Sequence, residues 1–181
     1  MKKVFTLLFS LSLLMTVQTV MAQRGPAASP KATVSQAIGN TQMEIVYSRP
    51  SLDGRDVNKL VRDRANGDVW RTGANTNTLI SFSKDVTVGG QSLKAGQYSM
   101  YSIPGDSEWT IIFNSNTENW GTKYEKAKDV LRIKGKVSKT GDSVETFTIN
   151  MTNFDKNAKD NALIELAWGK MSVKFPVKVT N

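Results

Sequence analysis

ALIELAWGKMSVKFPVKV, residues 162–179, decides the fold class. Ile164, Leu166 and Trp168 fall on every second position, with Leu163 and Glu165 on the alternate ones. A period of two puts the first set on one face of a strand and the second on the other. Gly169-Lys170 then reads as a turn, after which MSVKFPVKV (171–179) starts a further strand. Pro176 has no N–H to give to a ladder, which predicts an edge position or a bulge for that strand.

Working outward, the same kind of run recurs at close spacing. ATVSQAI (32–38) and TQMEIVYS (41–48) flank Gly39-Asn40, a tight-turn pair, and predict a hairpin with Met43, Ile45 and Tyr47 on one face. TLISF (78–82), DVTV (85–88), QYSMYSI (97–103), EWTIIFN (108–114), DVLRIKGKV (129–137) and VETFTINMTNF (144–154) complete ten runs. Gly89-Gly90, Pro104-Gly105-Asp106 and Thr140-Gly141-Asp142 separate them, with backbone chemistry that suits turns. Ten short strands at hairpin spacing predict an all-β antiparallel sandwich with a jelly-roll-like course. Val57, Leu60 and Val61 have helical spacing and predict one or two helical turns in the long connection 51–69, closed by Gly67. A second short turn is expected around Tyr124 to Lys128.

The N-terminus reads differently. Lys2 and Lys3 precede a mostly apolar stretch, Val4 to Val20, and Val20-Met21-Ala22 places compact residues before a cleavage point. This is the pattern of a signal peptide, residues 1–22, which predicts an exported protein beginning at Gln23, periplasmic or secreted. QRGPAASPK (23–31) reads as a flexible lead, and 32–181 as a single domain without a transmembrane segment. The net charge is +8, two of it on Lys2 and Lys3. The cations are scattered, so they indicate solubility or an anionic envelope partner rather than nucleic acid.

The sequence contains no cysteine and no histidine. Disulfides, thiol nucleophiles, thiolate or imidazole metal sites and Ser-His-Asp triads are thereby excluded. No cofactor is expected. The Asp and Glu residues of the loops lack the spacing of a calcium loop, and no motif marks a catalytic pair.

One constellation points to binding. YSRP (47–50), DGR (53–55) and VWRTGAN (69–75) bring Arg49, Arg55 and Arg71 near Trp70, with Asn75 beside them. An arginine fork next to an aromatic plane suits a carboxylate, a phosphate or the polar edge of a sugar. The same residues also fit a plain strand end, with the guanidinium bonding loop carbonyls. Trp109 and Trp168 lie in alternating runs and read as core. Trp120 lies in the polar loop SNTENWGTKYEKAK (115–128), where it either plugs one end of the sandwich or stacks on a ligand.

YSRP, WRTGAN, AGQYSMYSIPG (95–105), EWTIIFN and WG (120–121), with KDVLRI, VETFTI and LIELAWGKMSVKFPV, together resemble a family of exported proteins classed only as a domain of unknown function. The family is frequent in Gram-negative bacteria of the Bacteroidetes type. VRDRANGD (61–68) departs from the Val-Pro-aromatic-Gly pattern associated with it. The resemblance implies an exported protein and brings no catalytic residue. The leading expectation is a non-catalytic binding module for a small anionic or sugar-like ligand, held by Arg49, Arg55, Trp70, Arg71, Asn75 and Trp120. A carboxylate-dependent enzyme acting on a glycan or small molecule, and an envelope interaction protein, are the alternatives. Oligomeric state is left open.

Overall fold

The computed structural model describes residues 26–63, 69–118, 120–154 and 160–179. The expected signal peptide, its cleavage point and Gly67 lie outside them. The chain is all-β and antiparallel. In order come β1 (Lys31–Ile38), β2 (Thr41–Ser48), α1 (Val57–Asp63), β3 (Thr78–Phe82), β4 (Val86–Val88) and β5 (Gln91–Leu93). β6 (Gly96–Ile103), β7 (Glu108–Asn114), β8 (Asp129–Thr152) and β9 (Asn161–Val179) follow, with a 3-10 turn at Lys126–Lys128. The hairpin at Gly39-Asn40 and the short helix through Leu60 and Val61 stand where the sequence put them.

All nine strands belong to one sheet, in the order β1-β2-β3-β6-β7-β8-β9-β4-β5. Its shape follows from two short links. β3 and β4 hold the third and eighth places, about 24 Å apart in a flat sheet at ~4.8 Å per strand. Phe82 to Val86 is four Cα steps, a reach of at most about 14 Å. The return from Leu93 in β5 to Gly96 in β6 is shorter still. The sheet must therefore roll over until β4-β5 faces β3 and β6 across the core. This gives a sandwich made by folding one sheet, with a jelly-roll-like course where the chain crosses layers. Met43, Ile45, Ile80, Val88, Phe113, Ile133, Ile164 and Phe175 meet inside it in one buried cluster.

The corner of the roll corrects the expected strand count. DVLRIKGKV and VETFTINMTNF are one strand, β8, and ALIELAW and MSVKFPVKV are one strand, β9. Thr140-Gly141-Asp142 and Gly169-Lys170 are bends within them, not hairpin turns. Between Lys139↔Met171 and Thr148↔Ala167, β8 advances nine residues while β9 advances four, so bulged β8 runs round the outside of the bend. β9 bends sharply at Gly169, whose φ is +59°. Seven extended residues would span about 23 Å, yet the Ser172 hydroxyl donates to Glu165 Oε1 at 2.5 Å. Lys174 Nζ lies 3.3 Å from the same carboxylate oxygen.

Pro176 is also corrected. β9 is an interior strand, between β8 and β4. The β8 ladder stops at Lys136↔Lys174, so no N–H is called for at Pro176, and its carbonyl accepts Gly89 N–H at 2.9 Å. The expected face of β9 is right: Ile164, Leu166 and Trp168 are buried, and Leu163 and Glu165 lie partly outside.

Among the described residues no helix is long and apolar enough to cross a membrane.

Candidate functional site

The chain after β2 is pinned to the corner. Phe147 N–H bonds the Pro50 carbonyl at 2.8 Å, and Leu52 N–H bonds the Glu145 carbonyl at 2.9 Å, with a bridge between Ser51 and Thr146. Asp53 and Gly54 then turn through positive φ. The Arg55 fork closes back on its own loop, Nε to the Leu52 carbonyl at 2.7 Å and Nη2 to the Ser51 carbonyl at 2.9 Å. Asp56 Oδ1 accepts Lys59 N–H at 2.9 Å, which caps α1.

VWRTGAN is anchored from below. Trp70 exchanges both backbone hydrogen bonds with Ser102 of β6, at 2.8 and 2.9 Å. Thr72, buried at φ +53°, bonds the Ser102 hydroxyl at 2.9 Å, and its carbonyl accepts the Thr78 hydroxyl at 2.7 Å. Gly73 packs where a Cβ would stand 2.9 Å from Thr78 Oγ1 and 3.1 Å from the Ser48 carbonyl, so only glycine fits. Asn75, at φ +58°, donates Nδ2 to the Ser29 carbonyl at 3.1 Å and accepts Arg71 Nη1 on its own carbonyl at 3.2 Å.

These two loops, the segment at Ala28-Ser29 and the corner residues enclose a cleft of about 500 Å³. Arg55, Arg71 and Asn75 line it, with Asp53 and Glu145 beside them and Trp70 and Trp168 at its base. Glu145 Oε1 accepts the Asp53 N–H at 2.8 Å. The cleft thus presents two guanidinium groups, an amide and two carboxylates above indole rings.

Four of the six expected residues, Arg55, Trp70, Arg71 and Asn75, meet here. Trp70 is not the open wall expected of it, being 1% exposed. Its rung with Ser102 aims the indole inward, where it stacks on Trp168 at 6.0 Å and meets Trp109 and Phe147 edge-on. Arg49 lies outside the cleft. Its Nε bonds the Phe147 carbonyl at 3.1 Å and its Nη2 bonds Thr148 Oγ1 at 2.8 Å, so it clasps β8 instead. Trp120 does not line the cleft either, and is 52% exposed. Glu145, Ala28, Ser29 and Ser51 are lining residues that the sequence did not mark, and Trp168 was marked only as core. Glu145 stands in an alternating run with nothing to distinguish it, and only the corner brings it to the loops.

A second polar cluster lies on the 115–129 loop. Asp129 Oδ2 accepts the Tyr124 hydroxyl at 2.7 Å and Arg132 Nε at 2.9 Å, while Arg132 Nη2 bonds the Tyr124 oxygen at 2.6 Å. Burial, and then the bond to the Asp129 carboxylate, push the Tyr124 phenol up to about 12. Asn114 Nδ2 ties Asp129 Oδ1 and the Glu125 carbonyl together, so this cluster holds its loop against β7.

The structure is thus an all-β antiparallel fold with a polar cleft at its corner, two buried indoles behind it. Over residues 29–177 the chain matches the family described as protein of unknown function (DUF2911), and it belongs to that family. No curated protein and no solved structure matches it.

Proposed function

We propose that the protein is an exported, non-catalytic binding module whose corner cleft takes a small sugar-like ligand. The observation that carries this is the convergence of Arg55, Arg71, Asn75, Asp53 and Glu145 on one cleft over an indole floor. Sugar hydroxyls donate and accept at once, and a lining of guanidinium, amide and carboxylate groups answers both needs. Two cations faced by two carboxylates favour a neutral or singly acidic sugar over a bare anion. The carboxylates serve as acceptors on a fixed wall, since Glu145 is tied to the turn that carries Asp53. The rigid seating of VWRTGAN on Ser102 and Thr78 supports binding without rearrangement.

The test is calorimetric titration with neutral monosaccharides and uronic acids, on the native protein and on Arg55→Gln and Arg71→Gln. Each charged hydrogen bond lost should weaken binding about tenfold or more, with a melting temperature measured alongside because both guanidinium groups also bond loop carbonyls. Affinity that survives both substitutions would reject the cleft as the site.

A further inference from the structure

We infer that the site continues out of the cleft onto Trp120, so that its ligand is an oligosaccharide whose second or third unit stacks on that indole. This rests on the reading of the cleft as a sugar site. Of the four tryptophans, Trp70, Trp109 and Trp168 are at most 3% exposed, whereas Trp120 is 52% exposed. A single exposed aromatic is ordinary on a protein surface; what marks Trp120 is its place beside the cleft wall.

Its backbone is fixed rather than loose. Trp120 bridges Thr76, and the Trp120 carbonyl accepts Lys123 N–H at 2.7 Å. Thr76 is the residue after Asn75, which lines the cleft. Bridged partners stand about 5 Å apart at Cα, and one further chain step adds about 3.8 Å, so Trp120 begins within about two sugar units of the cleft wall. Gly121 makes the join tighter. A Cβ there would come 2.7 Å from Arg71 Cδ, 3.1 Å from the Asn75 carbonyl and 3.2 Å from the Thr76 carbonyl. The WG pair is thus fitted against Arg71 and Asn75, two of the residues of VWRTGAN that line the cleft. Those contacts hold the aromatic platform at a set distance from the polar wall. A rigid indole next to a polar cleft suits a chain of rings, the first held by its hydroxyls and the next by its flat apolar face.

The experiment is binding of the full protein, and of its Trp120→Ala and Trp120→Phe variants, to an array of mono- to hexasaccharides. A hit series then serves for titration. Expected are signals that rise at least tenfold from one sugar unit to three, a rise abolished by Trp120→Ala and kept by Trp120→Phe. Because Trp120 is exposed, the melting temperature should not move. Trp120 is also the indole that iodide can reach, so the longer sugars should protect its fluorescence and single sugars should not. Binding that depends on Arg55 and Arg71 but is equal for one unit and three, or is indifferent to Trp120→Ala, overturns the extension and leaves the cleft reading intact. Silence across the whole array overturns both.

Discussion

Tyr47 closes the roll with a side chain where a strand would otherwise be needed. Its hydroxyl accepts Ile149 N–H at 2.9 Å and donates to the Ile149 carbonyl at 3.3 Å, satisfying both backbone groups on the side of β8 away from β9. The site is dry, with Tyr47 3% and Ile149 1% exposed. Tyr47→Phe keeps the ring and its edge contact with Phe147 at 5.8 Å, and removes only the oxygen. Two buried backbone groups then lose their partner, which should cost about 2–3 kcal/mol. For a domain of this size that is a fall in melting temperature of about 4–9 °C. Thermal unfolding followed by circular dichroism, with urea denaturation alongside, reads it directly. Tyr98→Phe is the control, since its hydroxyl makes one bond, to the Lys94 carbonyl at 2.9 Å. A Tyr47→Phe protein melting within about 1 °C of wild type would refute the claim that this hydroxyl replaces a ladder partner.

Two further outcomes are expected. Gly73→Ala should destabilise by about 1–3 kcal/mol, because the added carbon meets Thr78 Oγ1 and the Ser48 carbonyl; a neutral result in urea denaturation would show that the loop can shift. Tyr124 should keep its proton until about pH 12. A folded-state value above the ordinary one, near 10, gives stability that is present below pH 10 and is lost as pH rises towards 12. Asp129→Asn should bring the tyrosinate absorbance of Tyr124 in at lower pH, and an unchanged titration would exclude Asp129 as a cause of the shift.

The strand faces were legible because alternation is a local property: Ile164, Leu166 and Trp168 declare their side without reference to anything distant. The corner was not legible. Gly169-Lys170 and Thr140-Gly141-Asp142 have a chemistry that serves a hairpin turn or a bend within a strand equally well. Which one forms is settled by the pairing of β8 with β9, a contact between segments far apart in sequence. The site divides on the same line. That Arg55, Trp70, Arg71 and Asn75 would lie together was legible because they crowd a short stretch. Arg49 carries the same signal, yet its fork is taken by Phe147 and Thr148, nearly a hundred residues away. Trp70 was expected as an aromatic wall and is buried instead, because its inward aim depends on the rung with Ser102.

The place of β9 has a consequence for how the molecule assembles. It follows every other element in chain order, yet it lies between β8 and β4 in the sheet. Until it is present, the β4-β5 hairpin has no neighbour, one side of β8 is bare, and Trp70 lacks the indole it stacks on. β1, β2, β3, β6, β7 and β8 can pair without it, but the β4-β5 hairpin cannot be seated against them until the last strand arrives. Closure of the sandwich should therefore be the late step of folding, slowed by the distance in sequence between β4 and β9.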